Sequence, residues 1–123
     1  MLYSTERLND LPAALDDTLL ALADPTRRAI LRQLALGEAR VTDLAAPFAM
    51  SLNAVSKHIR LLERAGLVRR RKAGREHLLS FDPTPMDDAQ AWMHAQRAFW
   101  ATRLQAIDDL LVAEDESPKG TPP

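Results

Sequence analysis

VTDLAAPFAMSLNAVSKHIRLLERAGLV, Val41 to Val68, is the stretch whose reading decides the fold. Thr42 reads as the N-cap of a short helix from Asp43 to about Ala49, with Leu44, Ala45 and Phe48 facing inward. Pro47 falls inside that segment and removes a backbone hydrogen bond, so this helix is expected to be short or irregular. Ser51 is the next cap. From Leu52 to Ala65 the apolar residues Leu52, Val55, Ile59 and Leu62 recur at helical spacing and make one stripe, and Gly66 supplies the stop. Two helices joined tightly around Met50-Ser51 predict a helix-turn-helix, in which the first helix braces a second that is sized for the DNA major groove.

The face opposite that stripe carries Asn53, Lys57, Arg60 and Arg64, with Ser56 flanking. Asn53 has the amide to pair bidentately with adenine, and Lys57 has the ammonium to donate to guanine. Ser51 or Ser56 can reach a phosphate or a base. Taken alone, the same pattern also fits an ordinary amphipathic helix with a solvated face. The residues after Gly66 add weight to the DNA-binding reading. Leu67-Val68 and His77 to Phe81 read as short strands around Lys72-Ala73-Gly74-Arg75, a hairpin with glycine near its tip. Arg69, Arg70, Arg71, Lys72 and Arg75 make it a basic hairpin, able to straddle a backbone and place an arginine in a minor groove. A solubilising loop is the plainer alternative.

Charge along the chain shows the same division. Ser51 to His77 holds eight basic residues against the two acidic ones Glu63 and Glu76, a net +6. The whole chain is −1, so everything else sums to −7. A cationic segment on an otherwise acidic protein suits a polyanionic partner.

Outward from this centre, Leu8, Leu11, Leu15, Leu19 and Leu22 predict a helix from about Leu11 to Ala23. Asp24-Pro25 caps and opens the next, from Pro25 to about Leu36, with Ile30, Leu31 and Leu34 inward and Gly37 to end it. Downstream, Asp82-Pro83-Thr84-Pro85 breaks the chain before a long helix from about Met86 to Val112. Its Trp92, Met93, Trp100, Leu104, Ile107 and Leu111 are more apolar surface than so small a monomer readily buries, which points to two-fold pairing; monomer core is the alternative for Trp92 and Trp100. The expected class is mainly α with a small β-hairpin, a winged helix-turn-helix with a long C-terminal dimerisation helix. The expected organisation is a flexible N-terminus over 1–10, one domain over 11–112 and a disordered tail over 113–123.

The stretch ADPTRRAILRQLALGEARVTDLAAPFAMSLNAVSKHIRLLERAGLVRRRKAGREHLLSFDP, Ala23 to Pro83, resembles the arsenic-repressor (ArsR/SmtB) family of bacterial regulators. The resemblance covers about Leu15 to Leu111 and is most specific from Ser51 to Val68. It implies a homodimer whose first and last helices form the interface, a recognition helix over Ser51 to Ala65, and a wing over Val68 to Phe81. The DNA-facing set is then Ser51, Asn53, Ser56, Lys57, His58, Arg60, Arg64, Arg69, Arg71 and Arg75. The dimer set is Leu11, Leu15, Leu19, Trp92, Trp100, Leu104, Ile107 and Leu111. The partner is double-stranded DNA, and the resemblance favours a repressor.

The family's metal-sensing chemistry does not carry over. The cysteines that some members place before the recognition helix are absent, since the chain has no cysteine at all. Others use an aspartate, two histidines and a glutamate on the last helix; here that helix offers Asp87, Asp88 and only His94, too few nitrogen donors for a closed zinc site. No cofactor is expected, and no residue pattern specifies a small-molecule effector. A catalytic role is disfavoured, because no Ser-His-Asp set, phosphate-binding glycine loop or carboxylate cluster with a histidine partner is present. A winged helix that binds protein is the remaining alternative, and it has less need of a +6 surface. No apolar stretch approaches the roughly 18 residues of a membrane span, and the N-terminus is unlike a signal peptide. With no cysteine, the expectation is a cytoplasmic protein.

Overall fold

Two side-chain caps set where the central helices begin. The carboxylate of Asp24 accepts the amide of Arg27 at 3.0 Å, with Pro25 at the first helical position. Ser51 Oγ accepts the amide of Ala54 at 3.1 Å. Both close an amide that a helix start would otherwise leave unpaired. The computed structural model describes residues 5–116, and side-chain surroundings for residues 14–115. The elements are α1 (Thr5–Leu22), α2 (Pro25–Leu34), β1 (Ala39–Arg40), α3 (Val41–Ala45), α4 (Leu52–Arg64), β2 (Val68–Ala73), β3 (Glu76–Phe81) and α5 (Thr84–Glu116).

The end of α4 is as well defined as its start. Gly66 takes φ +79°, its amide bonds to Glu63 O at 2.9 Å, and the amide of Leu67 bonds back to Leu62 O at 3.0 Å. This is a Schellman closure with its usual hydrophobic pair, because Leu62 and Leu67 are both fully buried. The chain therefore leaves the helix and enters β2 within three residues. At the far end of β2, Ala73 faces Glu76 across a two-residue turn. Gly74 has φ +65° there, and among the described residues no non-glycine residue has a positive φ, the pattern of a type II′ hairpin turn.

Antiparallel pairing puts the strands in the order β1-β3-β2. The core beneath them is built from Ala21, Ile30, Leu31, Leu34, Leu44, Val55, Ile59, Leu62, Leu67, Val68 and Leu79. It draws on α2, on α3 through Leu44, on α4, on α1 through Ala21, and on the inner face of the hairpin. Among the described residues, no helix is long and apolar enough to cross a membrane.

Several boundaries differ from those read off the sequence. α1 starts at Thr5 rather than Leu11, so part of the segment expected to be flexible is helical; residues 1–4 lie outside the described residues, as does the side chain of Leu11. α3 runs Val41–Ala45 instead of Asp43–Ala49, because Arg40 is held in the sheet opposite Leu78 and the helix starts directly after it. Pro47 thus follows the helix and interrupts none of its hydrogen bonds. β1 is not expected from the sequence; two residues show no periodicity, and they become a strand only by pairing with β3. Leu52, expected inside, is 50% exposed, whereas Val55, Ile59 and Leu62 are at 0%. α5 runs past Val112 to Glu116, and the rest of the expected tail, 117–123, lies outside the described residues.

The chain divides into two compact units, the first ending at Ala89 and the second beginning at Gln90. The second is the continuation of α5. Along it Phe99 and Trp100 meet edge to face at 6.1 Å, and the Arg103 guanidinium lies 5.6 Å from the Phe99 ring centre. Its apolar residues Trp92, Met93, Phe99, Trp100, Leu104, Ile107, Leu110 and Leu111 are all exposed in the single chain.

Candidate nucleic-acid interface

α4 owes its two faces to its own spacing. Val55, Ile59 and Leu62 lock it into the core, which leaves Asn53, Lys57, Arg60 and Arg64 on the exposed side. Among the described residues, Lys57, Arg60 and Arg64 have neither an ion pair nor a side-chain hydrogen bond. Ser56 is half-buried at the edge of that face. Ser51 is exposed, with its oxygen engaged as the cap while its hydroxyl proton stays available.

His58 does not join them. Its Nδ1 sits 3.1 Å from Arg27 Nη1 and 3.8 Å from Asp24 Oδ2, turned towards the start of α2. A guanidinium only donates, so Nδ1 is the acceptor of the Arg27 contact. Arg27 itself is 8% exposed. Its Nε and Nη2 donate to the carbonyls of Ala21 and Leu20, both at 2.8 Å, in the last turn of α1, where Leu20 O also accepts the amide of Ala23 at 3.2 Å. One buried side chain thereby ties α1, α2 and α4 together. Burial acts to raise the Asp24 carboxyl, but the hydrogen bond from the Arg27 amide and the nearby Arg27 charge outweigh it, and the group lies below its ordinary value.

The wing is arranged differently. Successive side chains of β2 alternate faces. Arg70, opposite the buried Leu79, turns towards α4 and forks onto Glu63, with Nη2–Oε1 at 2.8 Å and Nε–Oε2 at 3.1 Å. Arg69 and Arg71 turn the other way. Arg71 makes a two-pronged contact with Glu38 at 2.7 and 2.8 Å, and Arg69 Nε meets Asp82 at 2.7 Å. The Arg71 guanidinium holds Glu38 below its ordinary value. The Thr84 amide, followed by Arg69, lowers Asp82 to about 2. At β1, Arg40 bridges Asp43 and Glu76, and both contacts keep it firmly protonated. Lys72 and Arg75, at the tip, have no such partner among the described residues.

The segment read as +6 is therefore less positive in space than in sequence. Glu38 and Asp82 come from outside it and close onto its arginines, and Glu63 closes from within. Arg27, Glu38 and Asp82 carry no local signal; the Arg71–Glu38 contact spans 33 residues. What remains, among the described residues, is an unpaired cationic strip on α4 and an unpaired tip on the wing, on elements that pack against each other. Such a surface can meet phosphates with Arg60, Arg64, Lys72 and Arg75 and base edges with Asn53 and Lys57.

Known proteins agree with this geometry. A family model described as a helix-turn-helix domain matches residues 22–71, from the end of α1 into β2. The HTH-type transcriptional regulator Rv2034 of Mycobacterium tuberculosis is 36% identical over 96 residues, spanning 78% of this chain and 87% of that protein. The transcriptional repressor SdpR of Bacillus subtilis is 30% identical over 79 residues, spanning 64% of this chain and 88% of that one. Among solved structures, the ArsR family transcriptional regulator RHA00566 is 41% identical with a TM-score of 0.68, covering 72% of this chain and 97% of that chain. With its helix-turn-helix, its antiparallel wing and relatives matched over most of their length, the chain belongs to the ArsR family of winged helix-turn-helix transcriptional regulators.

Proposed function

We propose that this protein is a homodimeric repressor that binds an inverted-repeat DNA operator and needs no metal to do so. The observation that carries the reading is the outer face of α4, where Asn53, Lys57, Arg60 and Arg64 are exposed and the three cations have no partner among the described residues. Asn53, Ser56 and Lys57 read bases. Arg60, Arg64, Arg75 and, after release from their carboxylates, Arg69 and Arg71 hold phosphates, with Ser51 at the helix start. His58 acts as a positioning residue through Arg27. No catalytic role is assigned: His58, His77 and His94 lie on three different elements, and His58 is committed to Arg27.

A second copy of the chain covers the exposed apolar residues of the first and last helices. Leu19 is 40% exposed, and Trp92, Trp100, Leu104, Ile107 and Leu111 range from 41% to 60%. Leu15 is half-buried and belongs to the same set. Two copies place two α4 helices on one duplex, with half-site centres about one helical turn apart, ~34–36 Å. Footprinting on the DNA upstream of the protein's own gene is expected to protect both arms of an inverted repeat. Protection of a single half-site by a monomer would refute the dimeric reading. Metal independence rests on the absence of cysteine and on His94 being the one histidine of α5. Zinc titration is expected to leave operator affinity unchanged, and a large loss that His94→Ala abolishes would overturn that part.

A further inference from the structure

Leu52 is the first residue of α4, immediately after its cap, and half of its surface is exposed. The other apolar residues of its stripe are fully buried. On the helix it adjoins Ser56, one turn ahead, and Asn53, its neighbour in sequence. Met50, 38% exposed, stands just before the cap. The start of the proposed reading helix therefore presents an apolar side chain among polar ones, at the end that approaches base edges.

A major groove offers nitrogen and oxygen donors and acceptors at nearly every position. Its apolar feature is the C5-methyl group of thymine. A leucine pressed onto a donor or acceptor strips that group of water and returns no hydrogen bond, which is unfavourable. Pressed onto a methyl group, it removes apolar surface from water on both sides. Resting on the DNA-binding function proposed for α4, we propose that Leu52 recognises a thymine methyl group, fixing a thymine in each half-site beside the base read by Asn53.

The test uses a duplex enriched by the wild-type protein from a randomised library. Each thymine is then replaced by deoxyuridine, which deletes only the methyl group, and affinity is followed by fluorescence anisotropy. Wild type is expected to lose roughly fourfold for each methyl at one symmetry-related thymine pair, as suits one buried carbon. Leu52→Ala is expected to bind thymine and deoxyuridine duplexes equally at that pair, while Asn53→Ala retains the difference. The proposal is overturned if no deoxyuridine affects wild type, or if the difference survives in Leu52→Ala. It also fails if Leu52→Ala shifts the monomer–dimer equilibrium in sedimentation, which would assign the residue to a protein contact. If no duplex is enriched at all, the DNA-binding reading itself falls, and this proposal with it.

Discussion

Among the described residues Lys57, Arg60 and Arg64 stand unpaired along α4, whereas Arg69, Arg70 and Arg71, a few residues further on, each close onto a carboxylate. The two regions also differ in what holds them. α4 is anchored by Val55, Ile59 and Leu62, all at 0% exposure, so its outer face is spared from structural duty. The hairpin buries Val68 and Leu79 but has few other apolar residues inward, and surface ion pairs brace the rest. A helix with a full apolar stripe can dedicate its charges to a partner; a narrow hairpin uses some of its own to hold its place.

The largest effect expected from this contrast is on stability. Leu62→Ala should cost about 2–5 kcal/mol in urea denaturation, the range for emptying a well-packed leucine site. Breaking the fork between wing and α4 with Glu63→Gln should cost less than about 1 kcal/mol, because both partners remain partly solvated. Equal losses would show that the wing is held by its ion pairs as firmly as the helix by its core.

Next comes base discrimination. Lys57→Ala should relax preference at one operator position by about 1–3 kcal/mol and leave other positions ranked as before. An unchanged ranking of operator variants would remove Lys57 from the reading set. A smaller effect separates unpaired from paired cations. Arg60→Ala should reduce the salt slope of DNA affinity by about one counterion, and Arg71→Ala by less, since Glu38 already neutralises it. Glu38→Gln should act in the opposite sense, raising affinity for all duplexes and steepening the slope. Equal slopes for the Arg60 and Arg71 variants would erase the distinction.

How far the fold and the site are legible in the sequence depends on distance along the chain. The cap at Ser51, the stop at Gly66 and the spacing between them are local, and they give α4 its true limits. Leu52 is misplaced by periodicity alone because a helix side chain leans towards the N-terminus, so the first residue projects past the packed surface below it. The hairpin is legible through Gly74, but β1 is not, since its two residues owe their conformation to β3. The charge map fails for the same reason. Segment counting assigns Arg69 and Arg71 to a free cationic patch, and only the fold brings Asp82 and Glu38 onto them.

The smallest effect concerns pH. Glu38 and Asp82 are both held below their ordinary values, Glu38 by Arg71, Asp82 by the Thr84 amide and then Arg69. Groups depressed in the folded state stabilise it above their unfolded values, near pH 4, and lose that contribution as pH falls through the folded value. The Arg69–Asp82 pair is thus expected to persist from neutrality to about pH 4 and to weaken between there and about 2, and the Arg71–Glu38 pair to weaken at a pH below the ordinary glutamate value. A carboxyl titration of Asp82 by NMR should show a midpoint near 2. A midpoint at the ordinary 3.8 would dissolve the pairing.

The Schellman closure at Gly66 has a consequence for how this protein can change over generations. Between the last turn of α4 and the first residue of β2 lie only Ala65, Gly66 and Leu67; a side chain at Gly66 would be strained by its φ of +79° and would meet Pro85 at 3.4 Å. Leu67 is already committed to the core. No slack exists there to absorb an inserted or deleted residue. Lineages descending from this chain are free to exchange Asn53 or Lys57 and acquire new targets one base at a time, but the angle between helix and wing is inherited whole.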